Sequence, residues 1–177
     1  NVGAGLPIID TLQNLFKSGD KLTGFNGIMS GSLSYIFGKL DEGKKFSEAV
    51  LEAKELRYTE PDPRDDLKGT DVARKALIIA REAGMSIELE DIEMRSIFPK
   101  DFNIEGTTEE FLKRLPELDK FFDDKMAVLK KENKVLRMAA SIKDGKVSVG
   151  MLEVGMDDPL YTVRGGENAF VFSTARY

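Results

Sequence analysis

Apolar side chains recur at helical spacing through much of the first half of the chain, beginning with Ile8, Ile9, Leu12, Leu15 and Phe16. Spacings of three and four residues place such side chains on one face of a helix. Between the first two helical patterns, residues 21–29 fit a short strand. The predicted helices are residues 7–17, a segment from the Ser30-Gly31-Ser32 caps to Leu40, residues 46–56, and residues 67–83 with Asp65 or Asp66 as the N-cap.

The second half of the chain is richer in strand patterns. Asp144-Gly145 is a strong hairpin turn, so residues 135–142 and 147–154 are predicted to pair as antiparallel strands. Further strands are predicted at residues 92–98 and 169–176, and further helices at residues 107–115 and 117–131. Because helices dominate early and strands late, the sequence predicts an α+β fold in one domain.

Charge narrows the range of partners. The 177 residues carry 26 basic and 31 acidic side chains, a net charge of −5, without a basic stripe. This balance argues against nucleic acid and against an anionic membrane surface as partners. The longest uncharged run, residues 22–38, is too short and too polar for a membrane-spanning helix.

Three residue types are missing, and their absence excludes several mechanisms. The chain has no histidine, cysteine or tryptophan. Cysteine and histidine zinc sites, Ser-His-Asp triads and thiol nucleophiles are therefore ruled out within these residues. Acid-base chemistry would have to come from carboxylates, Lys, Arg, Tyr, hydroxyls or backbone amides.

The first candidate segment is the glycine-rich stretch at residues 2–8. It has the opening of a dinucleotide-binding fingerprint, but Ile8 stands where the third glycine belongs. Two interpretations remain open. One is a glycine turn that enters a helix with Pro7 in its first turn. The other is a backbone loop whose carbonyls or amides approach a cofactor or an ion.

The second candidate is the Ser/Gly turn within residues 27–34, where a strand runs into a helix. Exposed amides at a helix N-terminus favour anions such as a carboxylate. A well-capped helix without a ligand explains the same residues, and composition alone favours that simpler interpretation.

The third candidate is the acidic segment from Tyr58 to Lys75. A helical wheel places Asp71 and Lys75 on one face, away from the predicted core. The simplest interpretation is a surface ion pair worth about 0.2–0.5 kcal/mol. Two features favour a site instead: Ile78 shares that face, and a Pro-x-Pro loop carrying Glu60 leads into the helix.

These segments together resemble a known family. Residues 58–67, YTEPDPRDDL, followed by Gly69 and by Asp71-Val72-Ala73-Arg74-Lys75, look like the signature of homoserine dehydrogenases. NVGAGLP at residues 1–7 and GIMSGSLSYIF at residues 27–37 resemble two further family motifs in the same order. These motifs cover residues 1–84. Residues 157–160 and 166–169 more loosely resemble the form fused to aspartate kinase.

The resemblance implies an NAD- or NADP-dependent interconversion of L-homoserine and L-aspartate 4-semialdehyde. Lys75 matches the catalytic lysine that holds the substrate oxygen and transfers its proton. Asp71 matches the aspartate that orients it. The matching substrate contacts are Glu60, which would bind the substrate amino group, and Tyr58, Ser32 and Asp66, with Ser32 standing where Thr is frequent.

The N-terminal motif carries further implied roles. Gly3, Ala4 and Gly5 match the mouth of the cofactor cleft, and the backbone of Val2, Ala4 and Leu6 matches a site for a monovalent cation such as sodium. A carboxylate that completes the cation site in the family would precede Asn1, so we expect that site to be incomplete.

The resemblance also implies an architecture. Residues 1–177 match a substrate-binding and dimerisation domain, with the dinucleotide-binding domain outside the chain. The implied fold resembles the C-terminal domain of glyceraldehyde-3-phosphate dehydrogenase, with helices on one face of a mixed, largely antiparallel sheet. We expect a cytoplasmic homodimer whose later strands pair across the interface, and an isolated chain without turnover.

Two other classes of protein remain as alternatives. A non-catalytic dimerisation or amino-acid-sensing module could use the acidic loop and the Ser/Gly turn to bind a zwitterion without redox chemistry. A substrate domain of a related semialdehyde dehydrogenase is a broader possibility. The missing cysteine counts against it, because those enzymes use a thiol nucleophile.

Overall fold

The computed structural model describes residues 2, 3 and 5–176, which form seven α-helices and five strands. The helices are α1 (Ile8–Lys17), α2 (Gly31–Asp41), α3 (Phe46–Glu55), α4 (Arg64–Leu67), α5 (Thr70–Glu82), α6 (Thr108–Arg114) and α7 (Asp119–Lys131). The strands are β1 (Leu22–Ile28), β2 (Glu93–Met94), β3 (Lys134–Lys143), β4 (Lys146–Gly155) and β5 (Ala169–Thr174).

The strands form one sheet in the order β2-β4-β3-β1-β5. The predicted hairpin is its centre: β3 and β4 pair antiparallel from Lys134 opposite Gly155 to Lys143 opposite Lys146. Strand β1 lies antiparallel between β3 and β5, whereas the short β2 runs parallel to β4. The sheet is therefore mixed and largely antiparallel, and the α+β prediction is confirmed.

Alternate side chains of β3 lie on opposite faces of the sheet, and each face has its own apolar cluster. Leu136, Met138, Ala140 and Ile142 join the main core, which includes buried residues of α2, α3 and α5. Residues one position out of phase point to the opposite face, as the two-residue period of a strand requires. That face has a smaller cluster formed by Ile28, Val135, Ala139, Val154 and Leu160. The helices thus cover one face of the sheet, as predicted.

One predicted helix is divided in two. The pattern predicted a continuous helix over residues 67–83, but Gly69 adopts a left-handed φ of +71° between α4 and α5. The left-handed φ favours glycine here, and the Cε atom of Met138 on β3 packs beside it, 2.7 Å from where a Cβ would lie. Asp65 and Asp66 both lie inside α4, whose N-cap is Pro63, so neither caps a helix and that prediction was wrong.

The strand predicted at residues 92–98 shrinks to two residues. The amide of Arg95 still donates to the Val149 carbonyl at 2.8 Å, but the chain then leaves the sheet. Arg95 packs over Gly150, where a Cβ would lie 2.7 Å from the Arg95 Cβ atom. In the described part of the chain, no helix is long and apolar enough to span a membrane.

Candidate functional site

Helix α5 presents Asp71 and Lys75 one turn apart on the same face. The Lys75 Nζ atom lies 2.8 Å from Asp71 Oδ2 and donates a hydrogen bond to the Met29 carbonyl at 2.7 Å. Met29 immediately follows β1, so the ammonium ties the helix to the end of a central strand. The lysine side chain is 24% exposed and the aspartate 63% exposed, so the pair lies at the protein surface with its cation partly enclosed.

Asp66 connects the Ser/Gly turn to the Pro-x-Pro loop. Its Oδ1 atom accepts a hydrogen bond from Ser32 Oγ at 2.7 Å, and its Oδ2 atom accepts one from the Glu60 amide at 2.8 Å. Ser30 caps α2 by accepting from the Leu33 amide at 3.3 Å and lies 2.9 Å from Ser32 Oγ. Ser32 and Asp66 therefore form one hydrogen-bonded unit that fixes the backbone of Glu60.

The Pro-x-Pro loop is anchored from its other side by Arg64. The Arg64 Nε atom donates to both carboxylate oxygens of Asp62, at 2.9 and 3.0 Å, and Nη1 donates to the carbonyls of Ile104 and Gly106. Thr108 Oγ1 adds a hydrogen bond to Asp62 at 3.0 Å. The hydrogen bonds from the Arg64 guanidinium hold the pKa of Asp62 well below its usual range. The loop that carries Glu60 is therefore held in one geometry.

A cleft of about 560 Å³ brings several of the predicted residues together. Glu60, Asp66 and Asp71 line it, together with Ser30, Asp65 and Arg74. Ser32 and Lys75 adjoin the cleft through their bonds to Asp66 and Asp71. The sequence prediction grouped these residues by motif, and the fold places them around a single concavity.

Tyr58 lies beside α2 and is not among the residues that line the cleft. Its ring stacks on Tyr35, with the centroids 4.6 Å apart and the planes at 17°. The Tyr35 hydroxyl donates to Glu52 Oε1 at 2.9 Å, and burial raises the pKa of this hydroxyl. A Cβ built on Gly166 would lie 3.0 Å from the Tyr58 ring, so the segment before β5 also confines Tyr58.

The N-terminal turn forms a separate shallow cavity of about 260 Å³, lined by Val2, Gly3, Gly5 and Leu6 among others. Gly3 and Gly5 both have positive φ, and the Leu6 amide donates to the Gly3 carbonyl at 2.7 Å. Ala4, predicted for both the cofactor and the cation, lies outside the described residues. The other predicted cofactor and cation residues, Val2, Gly3, Gly5 and Leu6, therefore line a different concavity from the substrate residues.

The donor set of this turn suits a cation only in part. The Leu6 carbonyl already accepts from the Ile8 amide at 2.9 Å but keeps a second lone pair. No group of three or more acidic side chains in the described residues is placed to hold a metal ion, and Asp10 is the carboxylate among the described residues that line this cavity. A Cβ built on Gly5 would meet no described atom within 4 Å beyond the glycine's own chain neighbours, so this side of the turn is open.

Some contacts of the cleft were missing from the sequence prediction. The Met29 carbonyl, which accepts from Lys75, and Thr70, which lines the cleft, carry no side-chain signal that could have marked them. The approach of Gly166 to Tyr58 and Gly31 depends on where the last loop packs. Only the glycines themselves, at positions 31 and 166, hinted at close backbone contact.

The fold and the cleft define the protein as an α+β domain with a paired lysine beside a carboxylate-lined pocket. The sequence model of the homoserine dehydrogenase family, described as "Homoserine dehydrogenase", matches residues 7–177. The chain therefore belongs to the homoserine dehydrogenase family.

The chain is similar to only a part of each of its relatives. A bifunctional aspartokinase/homoserine dehydrogenase from Haemophilus influenzae is 52% identical over 177 residues, which make up all of this chain and 22% of the relative. Among solved structures, a Candida auris protein of unknown function has a TM-score of 0.93 at 44% identity, covering 99% of this chain and 51% of that one. A homoserine dehydrogenase from S. aureus has a TM-score of 0.70 at 25% identity, covering 89% and 36%.

Proposed function

We propose that residues 1–177 are the substrate-binding and dimerisation domain of a homoserine dehydrogenase, which uses NAD or NADP to interconvert L-homoserine and L-aspartate 4-semialdehyde. The Haemophilus influenzae relative is named a bifunctional aspartokinase/homoserine dehydrogenase. We therefore also propose that the parent protein of this chain carries an aspartokinase. The observation that carries the proposal is the position of Lys75, held between Asp71 and the Met29 carbonyl beside the cleft.

The charges of the cleft suit an amino acid that bears a hydroxyl group. Glu60 is exposed in the cleft and its backbone is fixed by Asp66, so its carboxylate would bind the substrate ammonium. The Ser32 hydroxyl would donate or accept hydrogen bonds with the remaining polar groups of the substrate, and the Asp66 carboxylate would accept them. The Tyr58 ring would close one side of the substrate site. Lys75 would hold the substrate oxygen and transfer its proton, and its ammonium would stabilise developing negative charge there.

Asp71 would orient Lys75 and keep its ammonium beside the substrate oxygen. A nicotinamide cofactor, held mainly by a domain outside this chain, would supply hydride transfer. Gly3, Ala4 and Gly5 would border that cofactor, and the carbonyls of Val2, Ala4 and Leu6 would contribute to a monovalent cation site.

The test of this proposal is the rate of homoserine-dependent NADPH formation by the parent protein. We expect the isolated chain to show no turnover and the chain with its flanking segments restored to be active. Lys75→Ala in the active form should lower kcat/KM by about 10²- to 10⁴-fold, because general acid-base catalysis contributes about that much. Lys113→Ala, which removes an exposed lysine from α6, serves as the matched control. An unchanged rate in Lys75→Ala would contradict the catalytic role.

A homodimer is the second part of the proposal. Strand β5 lies at one end of the sheet and pairs only with β1 within the described residues, so its outer edge is open to another strand. Open edges are readily used for pairing between chains. Light scattering of the parent protein should give the mass of a dimer, and a monomer at micromolar concentration would count against this assembly.

A further inference from the structure

A second cavity, of about 490 Å³, lies between the end of α2, helix α7, the start of β3 and the segment that follows β4. It shares no lining residue with the cleft that contains Glu60. Leu40, Phe122, Met126 and Val135 give it an apolar lining. Its volume falls within the range of about 300–1,000 Å³ that is typical of small-molecule pockets.

One carboxylate oxygen at this cavity lacks a hydrogen-bond donor. Asp41 lines the cavity, and its side chain is only 10% exposed. Its Oδ2 atom pairs with Arg137 Nη2 at 2.8 Å, but its buried Oδ1 atom accepts no hydrogen bond from any described residue. Burial raises the pKa of this carboxyl despite the arginine. Buried polar atoms normally have a partner, so the missing donor points to a ligand.

The cationic side chains of the cavity fall into two groups. Lys44 and Lys134 are already paired, with Glu52 and Glu132. Lys130 and Arg164 also line the cavity, and within the described part of the chain neither side chain has an ion pair or hydrogen bond. The charge of Arg164 acts on the Asp41 carboxyl without a direct bond, whereas Lys130 has no anionic partner among the described residues. The cavity therefore offers one acceptor without a donor and two cations without a bonded anion, around an apolar lining.

We propose that this cavity binds a small zwitterion, whose primary ammonium group reaches Asp41 and whose anionic group reaches Lys130 and Arg164. The ammonium supplies the donor that Asp41 Oδ1 lacks, and the anion gives Lys130 a partner and Arg164 a direct one. Methylene groups between the two ends fit the apolar lining. The site is independent of the proposed dehydrogenase cleft.

Calorimetry on the parent protein tests the proposal with three probes of increasing length: glycine, γ-aminobutyrate and 6-aminohexanoate. We expect at least one to bind saturably. Butyrate and butylamine, which each carry only one of the two charged groups, should bind at least tenfold more weakly. The proposal is overturned if none of the three probes binds, even where the reason is that another segment of the parent chain fills the cavity. It is also overturned if butyrate or butylamine binds as tightly as the probes.

Neighbouring lysines on α7 provide matched variants. Lys130→Ala should weaken binding at least tenfold, whereas Lys131→Ala, an exposed neighbour that does not line the cavity, should leave it unchanged. Both positions are exposed, so neither change should prevent folding. Equal losses in the two variants would overturn the proposal.

A variant of the other cleft separates this site from the proposed substrate site. Glu60→Gln should lower binding of homoserine but leave binding of the zwitterionic probe unchanged. Loss of probe binding in Glu60→Gln would place the probe in the substrate cleft and overturn the second site. If Glu60→Gln lowers homoserine turnover but no probe binds to the wild-type parent protein, the second site is overturned and the proposed function stands.

Discussion

Two ion pairs in this molecule have the same length and opposite surroundings. Lys75 and Asp71 are 2.8 Å apart with side chains that are 24% and 63% exposed. Arg137 and Asp41 are also 2.8 Å apart, but their side chains are 1% and 10% exposed. Solvent screening leaves the first pair worth about 0.2–1 kcal/mol to folding. Desolvation makes the second pair costly to form, and removal of one partner costs far more because the other charge stays buried without compensation.

The buried pair organises the region around the second cavity. Arg137 lies on β3, on the face opposite the helices, and donates to the carbonyls of Leu160 and Tyr161 at 3.2 and 2.5 Å. It thereby fixes the segment after β4 against the sheet. The exposed pair ties α5 to the end of β1 through the Lys75 bond to the Met29 carbonyl, and its Asp71 carboxylate remains open to solvent. The contrast separates a charge used for architecture from one that we propose is used for catalysis.

Removal of the buried arginine should have the largest effect on stability. We expect Arg137→Met to lower the free energy of unfolding by about 3–5 kcal/mol, because Asp41 is left as an uncompensated buried charge. Chemical denaturation followed by circular dichroism measures the change. The double variant Arg137→Met/Asp41→Leu, which removes both charges, should recover much of the loss. If the single and double variants are equally unstable, the stranded charge is not the cause.

Removal of the exposed aspartate should give the opposite result. Asp71→Ala should lower kcat/KM of the parent enzyme by about 10²-fold if the carboxylate orients a general acid-base lysine. It should change the free energy of unfolding by only about 0.5 kcal/mol, as expected for an exposed i,i+4 pair. Steady-state rates and chemical denaturation give the two values.

Helix α7 offers the matched control for that variant. Lys120 and Asp124 form another exposed i,i+4 pair, 2.7 Å apart. Asp124→Ala should have the same small effect on stability and no effect on the rate. If Asp124→Ala lowers the rate as much as Asp71→Ala does, the rate loss comes from a general effect on the protein and not from a catalytic role of Asp71.

The sequence was sufficient for the features that depend on local patterns. Helical spacing predicted α1, α2 and α3 closely, and Asp144-Gly145 predicted the hairpin because that turn is set by the backbone conformations of two residues. The site motif was also local, since residues 58–75 lie in one loop and the two consecutive helices α4 and α5. Such features need no knowledge of distant packing.

Features that depend on distant contacts were not predictable. Asp66 has the chemistry of an N-cap, but it lies inside α4 and its carboxylate accepts from the Ser32 hydroxyl, 34 residues earlier. Gly69 divides the predicted helix by adopting a left-handed φ of +71°, and the Met138 side chain of β3 packs beside it. The burial of Arg137 depends on a loop more than 20 residues later. In each case a tertiary contact overrode a sound local preference.

The smallest expected effect concerns the stacked rings of Tyr35, on α2, and Tyr58, neither of which lines the cleft. If the Tyr35 ring positions Tyr58 for substrate binding, Tyr35→Leu should raise KM for homoserine by about 3- to 10-fold, because aromatic pairs contribute about 0.5–1.5 kcal/mol. The value of kcat should change little, since neither ring contacts the reacting atoms. Steady-state kinetics of the parent enzyme measure both values.

Tyr35→Phe separates the stacking of the rings from the hydrogen bond to Glu52. It keeps the ring that lies 4.6 Å from Tyr58 and removes only the hydroxyl that donates to Glu52. We expect its KM to stay close to that of the wild-type protein. An equal rise in KM for both variants would show that the hydroxyl, through Glu52, positions Tyr58. An unchanged KM in both would place Tyr58 outside the substrate contacts, and the cleft would then rely on Glu60 and the Ser32–Asp66 unit alone.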